Sequence, residues 1–227
     1  MGPQAIAERI EYLKTVDSPT LSNAIEDLKV RPRHEGFAPE NVRCLFPEFG
    51  RMVGYAVTAH VETISQMTPN DRSGFVELFE AVHAGPKPAV VVFQEIGANP
   101  EFAAHSGEVM ATIFTRLGAV GLVSDSAVRD IPEVRAIGMH YFARGAVASH
   151  GHFHVVRVGI PVQVNGFVVK TGDLLHGDMN GLISIPDVPL DDLMQAVENV
   201  RAREKKLMDF VRGEQFTIEG LRTKFLE

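Results

Sequence analysis

The chain has 227 residues, 45% of them hydrophobic and 22% charged, proportions of a soluble globular protein that can bury roughly 70% of its unfolded surface without staples. Its net charge is −7, and its only dense basic run, Arg201 to Lys206, is interrupted by Glu204, which argues against nucleic-acid binding by counterion release. The single cysteine, Cys44, excludes an internal disulfide and a cysteine-rich zinc site.

The N-terminal MGPQAIAERIEYLKT lacks the basic-then-apolar pattern of a signal peptide. No apolar stretch reaches the roughly 20 residues that span a bilayer. A cytoplasmic protein that meets neither membrane nor nucleic acid is expected.

Residues 5–16 place Ile6, Ile10 and Leu13 at helical spacing, and Ser18-Pro19 marks a second helix start. MVGYAVTAHV, from Met52 to Val61, is rich in β-formers and predicts a strand. Gly74 to His83 predicts a helix stopped by Gly85-Pro86, followed by an apolar strand from Ala89 to Phe93. Next come a helix from Glu108 to Leu117, closed by Gly118, and a strand from Val120 to Ser124. Beyond Val155 the pattern changes to short β-runs, with Asn165-Gly166 as a hairpin turn. Leu190 to Val211 predicts a long helix, and the closing residues suit another.

No repeat, low-complexity tract or Gly/Ser linker interrupts this order. The expectation is a single α/β domain over 1–227: a helical N-terminal part (1–30), an α/β core (50–186) and C-terminal helices (190–227). Sheets layered with helices fit the order of elements better than a regular alternating barrel.

The chemistry is concentrated between Ser106 and Glu133, SGEVMATIFTRLGAVGLVSDSAVRDIPE. Its first half is a helix start, where free amides and the helix dipole attract anions. Its second half is a strand entering a loop that holds Asp125, Arg129, Asp130 and Glu133, and ligands of α/β sheets bind at the carboxyl ends of strands. Clustered carboxylates need a neutralising cation, and Mg²⁺ or Mn²⁺ prefers their oxygens. The plainer reading is a surface Arg-Asp ion pair worth under about 1 kcal/mol, with Glu108 as a helix-dipole partner.

GEVMATIFTRLGAVGLVSDSAVRD resembles the signature of the RraA-like family, which includes 4-hydroxy-4-methyl-2-oxoglutarate and 4-carboxy-4-hydroxy-2-oxoadipate aldolases. The likeness extends to VGYAVTA (Val53 to Ala59), ARG (Ala143 to Gly145) and VNGFVVKTGDLLHGDMNGLISIP (Val164 to Pro186). It implies a swivelling β/β/α layered domain with helices at both ends. It also implies a class II pyruvate aldolase that splits a 4-hydroxy-2-oxo acid, with oxaloacetate decarboxylation as a side activity. By resemblance, Asp130 contacts the metal and Glu108 holds a metal-bound water, at a position where aspartate is common. Arg129 meets the keto oxygen, and the amides of Gly107, Glu108, Val109 and Met110 hold the substrate carboxylate. Ser126 stands where many members have glycine. The alternative is an RraA-type regulator that binds ribonuclease E; members that only inhibit the nuclease often have a degraded Arg-Asp pair, which is intact here. A homotrimer, often paired into a hexamer, is the family assembly.

Glu204 falls on the stripe Leu193, Val197, Val200, Leu207 and Val211. A buried, unpaired charge there would cost several kcal/mol, so either the helix leaves the core or Glu204 meets a cation. The resemblance places a glutamate of a neighbouring subunit near the metal. Three rival sites are weighed as well. His150, His152 and His154 alternate as strand ligands would, Lys170 could form a Schiff base if desolvated, and His176 with Asp178 reads as turn and cap chemistry.

Overall fold

Helix α1 (Pro3–Leu13) opens with proline in its first turn and turns Ile10 and Leu13 inward. Helix α2 (Ser18–Asp27) begins at the predicted Ser18-Pro19. There follow β1 (Arg43–Cys44), β2 (Met52–Thr63), α3 (Ser73–Ala84), β3 (Ala89–Glu95), α4 (Glu108–Arg116) and β4 (Ala119–Ser124). Then come α5 (Ile131–Ile137), β5 (His140–Ala143), β6 (Phe153–Val158), β7 (Val162–Val164), β8 (Phe167–Val169), β9 (Leu174–Asp178) and β10 (Gly181–Ile185). Helices α6 (Leu190–Arg212) and α7 (Ile218–Leu226) end the chain. This computed structural model describes residues 2–63 and 72–226 and divides into two units: Met1–Ser18 with Arg33–Pro186, and Pro19–Pro32 with Asp187–Glu227.

The first unit is built on an eight-stranded sheet. Strands β2, β3, β4 and β5 run parallel, and β1 pairs antiparallel with β5 at one edge. β2 is long enough for three neighbours. Besides β3, its Met52–Tyr55 half pairs antiparallel with β9, and its Ala59–Thr63 half pairs with β6.

Alternation along β3 divides the core between two faces. Val91 and Phe93 join Leu78 and Val82 of α3, Phe114 of α4 and Val134 of α5. Val90 and Val92 join Val162, Val164, Phe167 and Val169 of the β7–β8 hairpin. With both faces covered, β3 reads as a continuous apolar run rather than an alternating one. The result is a mixed α/β layering of hairpin, sheet and helices with further helices at both ends, as expected. The hairpin turns at Asn165 (φ 49°) and Gly166 (φ 98°), the positive pair that an Asn-Gly turn supplies.

Besides the two-residue β1, two elements were not predicted. The loop expected around Asp130 and Glu133 is instead helix α5, with proline in its first turn and Gly138 (φ 84°) as its cap. Strand β5 is only four residues long and carries a histidine and a tyrosine among its apolar residues, so its periodicity is weak.

In the second unit, α6 buries Leu193, Ala196, Val197 and Val200 and nothing beyond. The stripe therefore leaves the core before Glu204, which is exposed and accepts a hydrogen bond from Asn23 Nδ2 at 3.2 Å. Arg203 pairs with Asp27 at 2.9 Å. No helix among the described residues is long and apolar enough to cross a membrane.

Candidate active site

Beyond β4, the segment Ala127–Arg129 is threaded between two other pieces of backbone. Ala127 N–H donates to Ala103 O at 3.0 Å, His105 N–H to Ala127 O at 3.0 Å and Arg129 N–H to Ser106 O at 2.9 Å. On the other side, Val128 N–H donates to Gly145 O and Val147 N–H to Val128 O, each at 3.0 Å. These bonds fix Arg129 and Asp130 beside Gly107, the residue preceding α4.

Asp130 adopts a left-handed backbone (φ 54°, ψ 46°) at the start of α5, a conformation that aspartate tolerates better than most residues. Its carboxylate does not cap that helix. Oδ2 instead accepts the Glu108 amide of α4 at 3.0 Å and lies 3.4 Å from Arg129 Nε. Val109 and Met110, in the first turn of α4, have no intrahelical acceptor for their amides. A Cβ on Gly107 would stand 2.3 Å from Asp130 Oδ2, so only glycine admits the carboxylate there.

The Arg129–Asp130 pair is about one-third exposed (35% and 32%), so it adds little to stability. The terminal guanidinium nitrogens have no partner among the described residues, which leaves donors for a ligand. Arg129, Asp130, Gly107, Val109 and Met110 line one cleft of about 590 Å³. A concave pocket with a few convergent polar groups is the usual form of a small-molecule site.

The expected carboxylate cluster is not assembled. Asp125 is buried apart from the cleft wall and accepts the Glu95 amide at 2.8 Å. Burial, reinforced by the Glu95 charge, pushes its pKa up to about 7. Glu133 is exposed in the first turn of α5, where a carboxylate complements the helix dipole. Glu108 contributes its amide, while its exposed side chain is not part of the cleft wall. The hydroxyl of Ser126 is buried with no partner among the described residues.

Behind the cleft lies a buried polar network that the sequence reading missed. His105 is fully buried, with Nε2 at 2.8 Å from Glu95 Oε2 and Nδ1 at 2.9 Å from Ser124 Oγ. Glu95 also accepts the amides of Thr63 and Gly97 and the Thr63 hydroxyl. Burial alone would raise the Glu95 pKa, but the bonds from His105 and Thr63 outweigh it and hold the carboxyl below its ordinary value. Burial lowers the His105 pKa against the pull of Glu95. A neutral imidazole with its proton on Nε2 fits every partner: Nε2–H donates to Glu95, and Nδ1 accepts from Ser124 Oγ. Ser124 Oγ in turn accepts the Ser126 amide at 2.9 Å. Two signals were available: the pair His105-Ser106 immediately before Gly107, and a lone acid ending the apolar run VVVFQE.

The rival sites resolve differently. His150, His152 and His154 line the same cleft, but no group of three His, Cys, Asp or Glu among the described residues is placed to hold a metal. Lys170 is exposed at the turn it precedes. His176 Nε2 lies 3.0 Å from Val16 O, and Asp178 accepts the amide and hydroxyl of Ser18 at 2.8 and 2.7 Å, which is cap chemistry.

A family profile described as RraA-like, Aldolase/RraA, matches residues 18–184. The chain belongs to the RraA-like family. A relative in Halalkalibacterium halodurans, named as a candidate 4-hydroxy-4-methyl-2-oxoglutarate aldolase, is 28% identical over 113 residues, 48% of this chain and 54% of that protein. The chain spans about half the length of the curated relatives it matches there and in Methanocaldococcus jannaschii. Two solved structures share the RraA-like fold. One, a protein of Pseudomonas syringae pv. tomato, has a TM-score of 0.69 and 20% identity, covering 95% of this chain and 97% of its own. The other, Streptomyces coelicolor RraAS2 of the RNase ES inhibitor RraA family, has a TM-score of 0.65 and 23% identity, covering 88% and 94%.

Proposed function

We propose that this RraA-like chain is a divalent-metal-dependent class II pyruvate aldolase, cleaving a 4-hydroxy-2-oxo acid to pyruvate and a second oxo compound. The observation that carries the reading is the meeting of Arg129, the Asp130 carboxylate and the N-terminus of α4 in one cleft. The amides of Gly107, Val109 and Met110 bind the substrate carboxylate with the help of the helix dipole, while the Glu108 amide is held by Asp130. The free guanidinium nitrogens of Arg129 donate to the 2-oxo oxygen. When the C3–C4 bond breaks, its electrons form the enolate and charge gathers on that oxygen, where Arg129 stabilises it. The 4-hydroxyl proton passes to water held by Glu108, and C3 is then reprotonated to give pyruvate. Oxaloacetate decarboxylation passes through the same enolate and is the expected side activity.

Asp130 is the carboxylate that lines the cleft, and Mg²⁺ or Mn²⁺ can be held by as few as one or two carboxylates while keeping several waters. Asp130 would hold the ion directly and Glu108 through water, and the bound ion would supply Lewis-acid stabilisation of the same oxygen. A homotrimer, or a dimer of trimers, completes the reading. The exposed Glu204 carboxylate is available in such a ring to the metal site of a neighbouring copy.

The test is a screen of 4-hydroxy-2-oxo acids in Mg²⁺ or Mn²⁺, with pyruvate detected by a coupled dehydrogenase. Release from at least one substrate supports the aldolase. No release from any, together with inhibition of ribonuclease E, would establish the regulator instead.

A further inference from the structure

The cleft extends beyond the groups that the aldol chemistry uses. Part of its remaining wall is an apolar shelf: Phe75, Val76 and Phe79 of α3, Met110 and Ile113 of α4, and Phe153 of β6. Ring contacts lead outward from the anion-binding end. His105, two residues before Gly107, lies 5.6 Å from Phe153. Phe153 stands edge-on to Phe75 at 5.3 Å, and Phe75 is 6.4 Å from Phe79. The three phenylalanines are only partly buried, and Val76 is 52% exposed. Of the cationic and titratable residues of this half, Arg72, His150 and His152 are exposed and would meet a ligand carboxylate hydrated and with little selectivity, and only His154 is buried. Covering aromatic surface is favourable in proportion to the area removed from water, and ring–ring contact adds to it.

We propose that the cleft selects a 4-hydroxy-2-oxo acid carrying an aryl group on C4, seated on Phe75, Phe79 and Phe153. The inference rests on the aldolase reading for where the reacting carbons lie, but the shelf can be tested by binding alone. The probes are 2-oxo-4-phenylbutanoate and 2-oxoglutarate, which share the 2-oxo-acid head and differ in carrying phenyl or carboxylate on C4. Neither has a 4-hydroxyl, so neither is cleaved. Calorimetry of the full chain in Mn²⁺ should show the phenyl compound binding about tenfold or more tightly. Phe153→Ser should cut that preference about fivefold or more. Val76→Asp, at an exposed position that leaves the core intact, should do the same.

Equal or tighter binding of 2-oxoglutarate overturns the proposal, as does a preference that survives both substitutions. A shelf covered by a second copy would appear as equal affinities, the same overturning result. Oxalate, which mimics the pyruvate enolate and has no substituent, reads the reacting end separately. If oxalate binds without any phenyl preference, only the shelf assignment fails; if oxalate does not bind, the aldolase reading fails with it.

Discussion

The carboxylate of Asp130 accepts the amide proton of Glu108 at 3.0 Å, although Asp130 itself stands at the left-handed entry to a different helix. One side chain thus closes the N-terminus of α4 while its own backbone begins α5. Asp130→Asn retains an oxygen for the Glu108 amide but removes the charge a cation would need. It should melt within about 3 °C of the parent and lose about two orders of magnitude in turnover. Near-normal pyruvate release would exclude the carboxylate from the chemistry.

Arg129→Ala should leave the fold intact, because its ion pair is about one-third exposed and contributes little to stability. Removing a donor to a developing oxyanion typically costs about 10²–10³ in turnover. Circular dichroism with coupled pyruvate detection checks both halves. Unchanged turnover would sink the assignment.

Gly107→Ala places a methyl group 2.3 Å from Asp130 Oδ2, so the carboxylate must move away from the Glu108 amide. Activity should fall about tenfold or more, at roughly 1–2 kcal/mol of stability. A crystal structure of the variant with the 3.0 Å contact preserved would refute the steric argument.

Chelation should abolish pyruvate release, and Mg²⁺ or Mn²⁺ should restore it. Full activity in excess EDTA, or pyruvate trapped on Lys170 by borohydride, would assign the chain to the Schiff-base class instead.

Asp125 supplies a pH test that does not depend on catalysis. Its folded pKa of about 7 lies above the unfolded value of about 3.9. Between these values the folded state binds more protons, so the contribution of this group to stability falls as pH rises. Asp125→Asn removes that dependence while keeping an oxygen for the Glu95 amide. The advantage of the variant over the parent should grow by roughly 2–4 kcal/mol between pH 4 and pH 8. Denaturation midpoints whose difference stays constant across that range would contradict the assigned burial.

The elements that lay open to reading in the sequence are those with a strong local cause. The apolar run of β3, the Asn165-Gly166 turn and the Ser18-Pro19 helix start each carry their own signal, and the structure places them within a residue or two of expectation. Arg129 and Asp130 were legible through their motif, and the geometry joins them to Gly107 and the start of α4. Glu95 and His105 were not, because ten residues separate them and only the return of the chain after β3 to the Ala127 backbone brings their side chains to 2.8 Å. The grouping of Asp125 with Asp130 was expected from proximity in sequence. The extended segment after β4 instead carries Asp125 toward Glu95 and Asp130 toward Glu108.

The twelve residues of β2 have a consequence for how the molecule is made. The strand pairs Val53 with His176 and Glu62 with His154, partners that leave the ribosome long after it does. Closing loops of that span is entropically costly and slow. The nascent β2 can meet β3 early but must wait with its other edge open until most of the polypeptide has been synthesised, the interval in which chaperone protection would matter most.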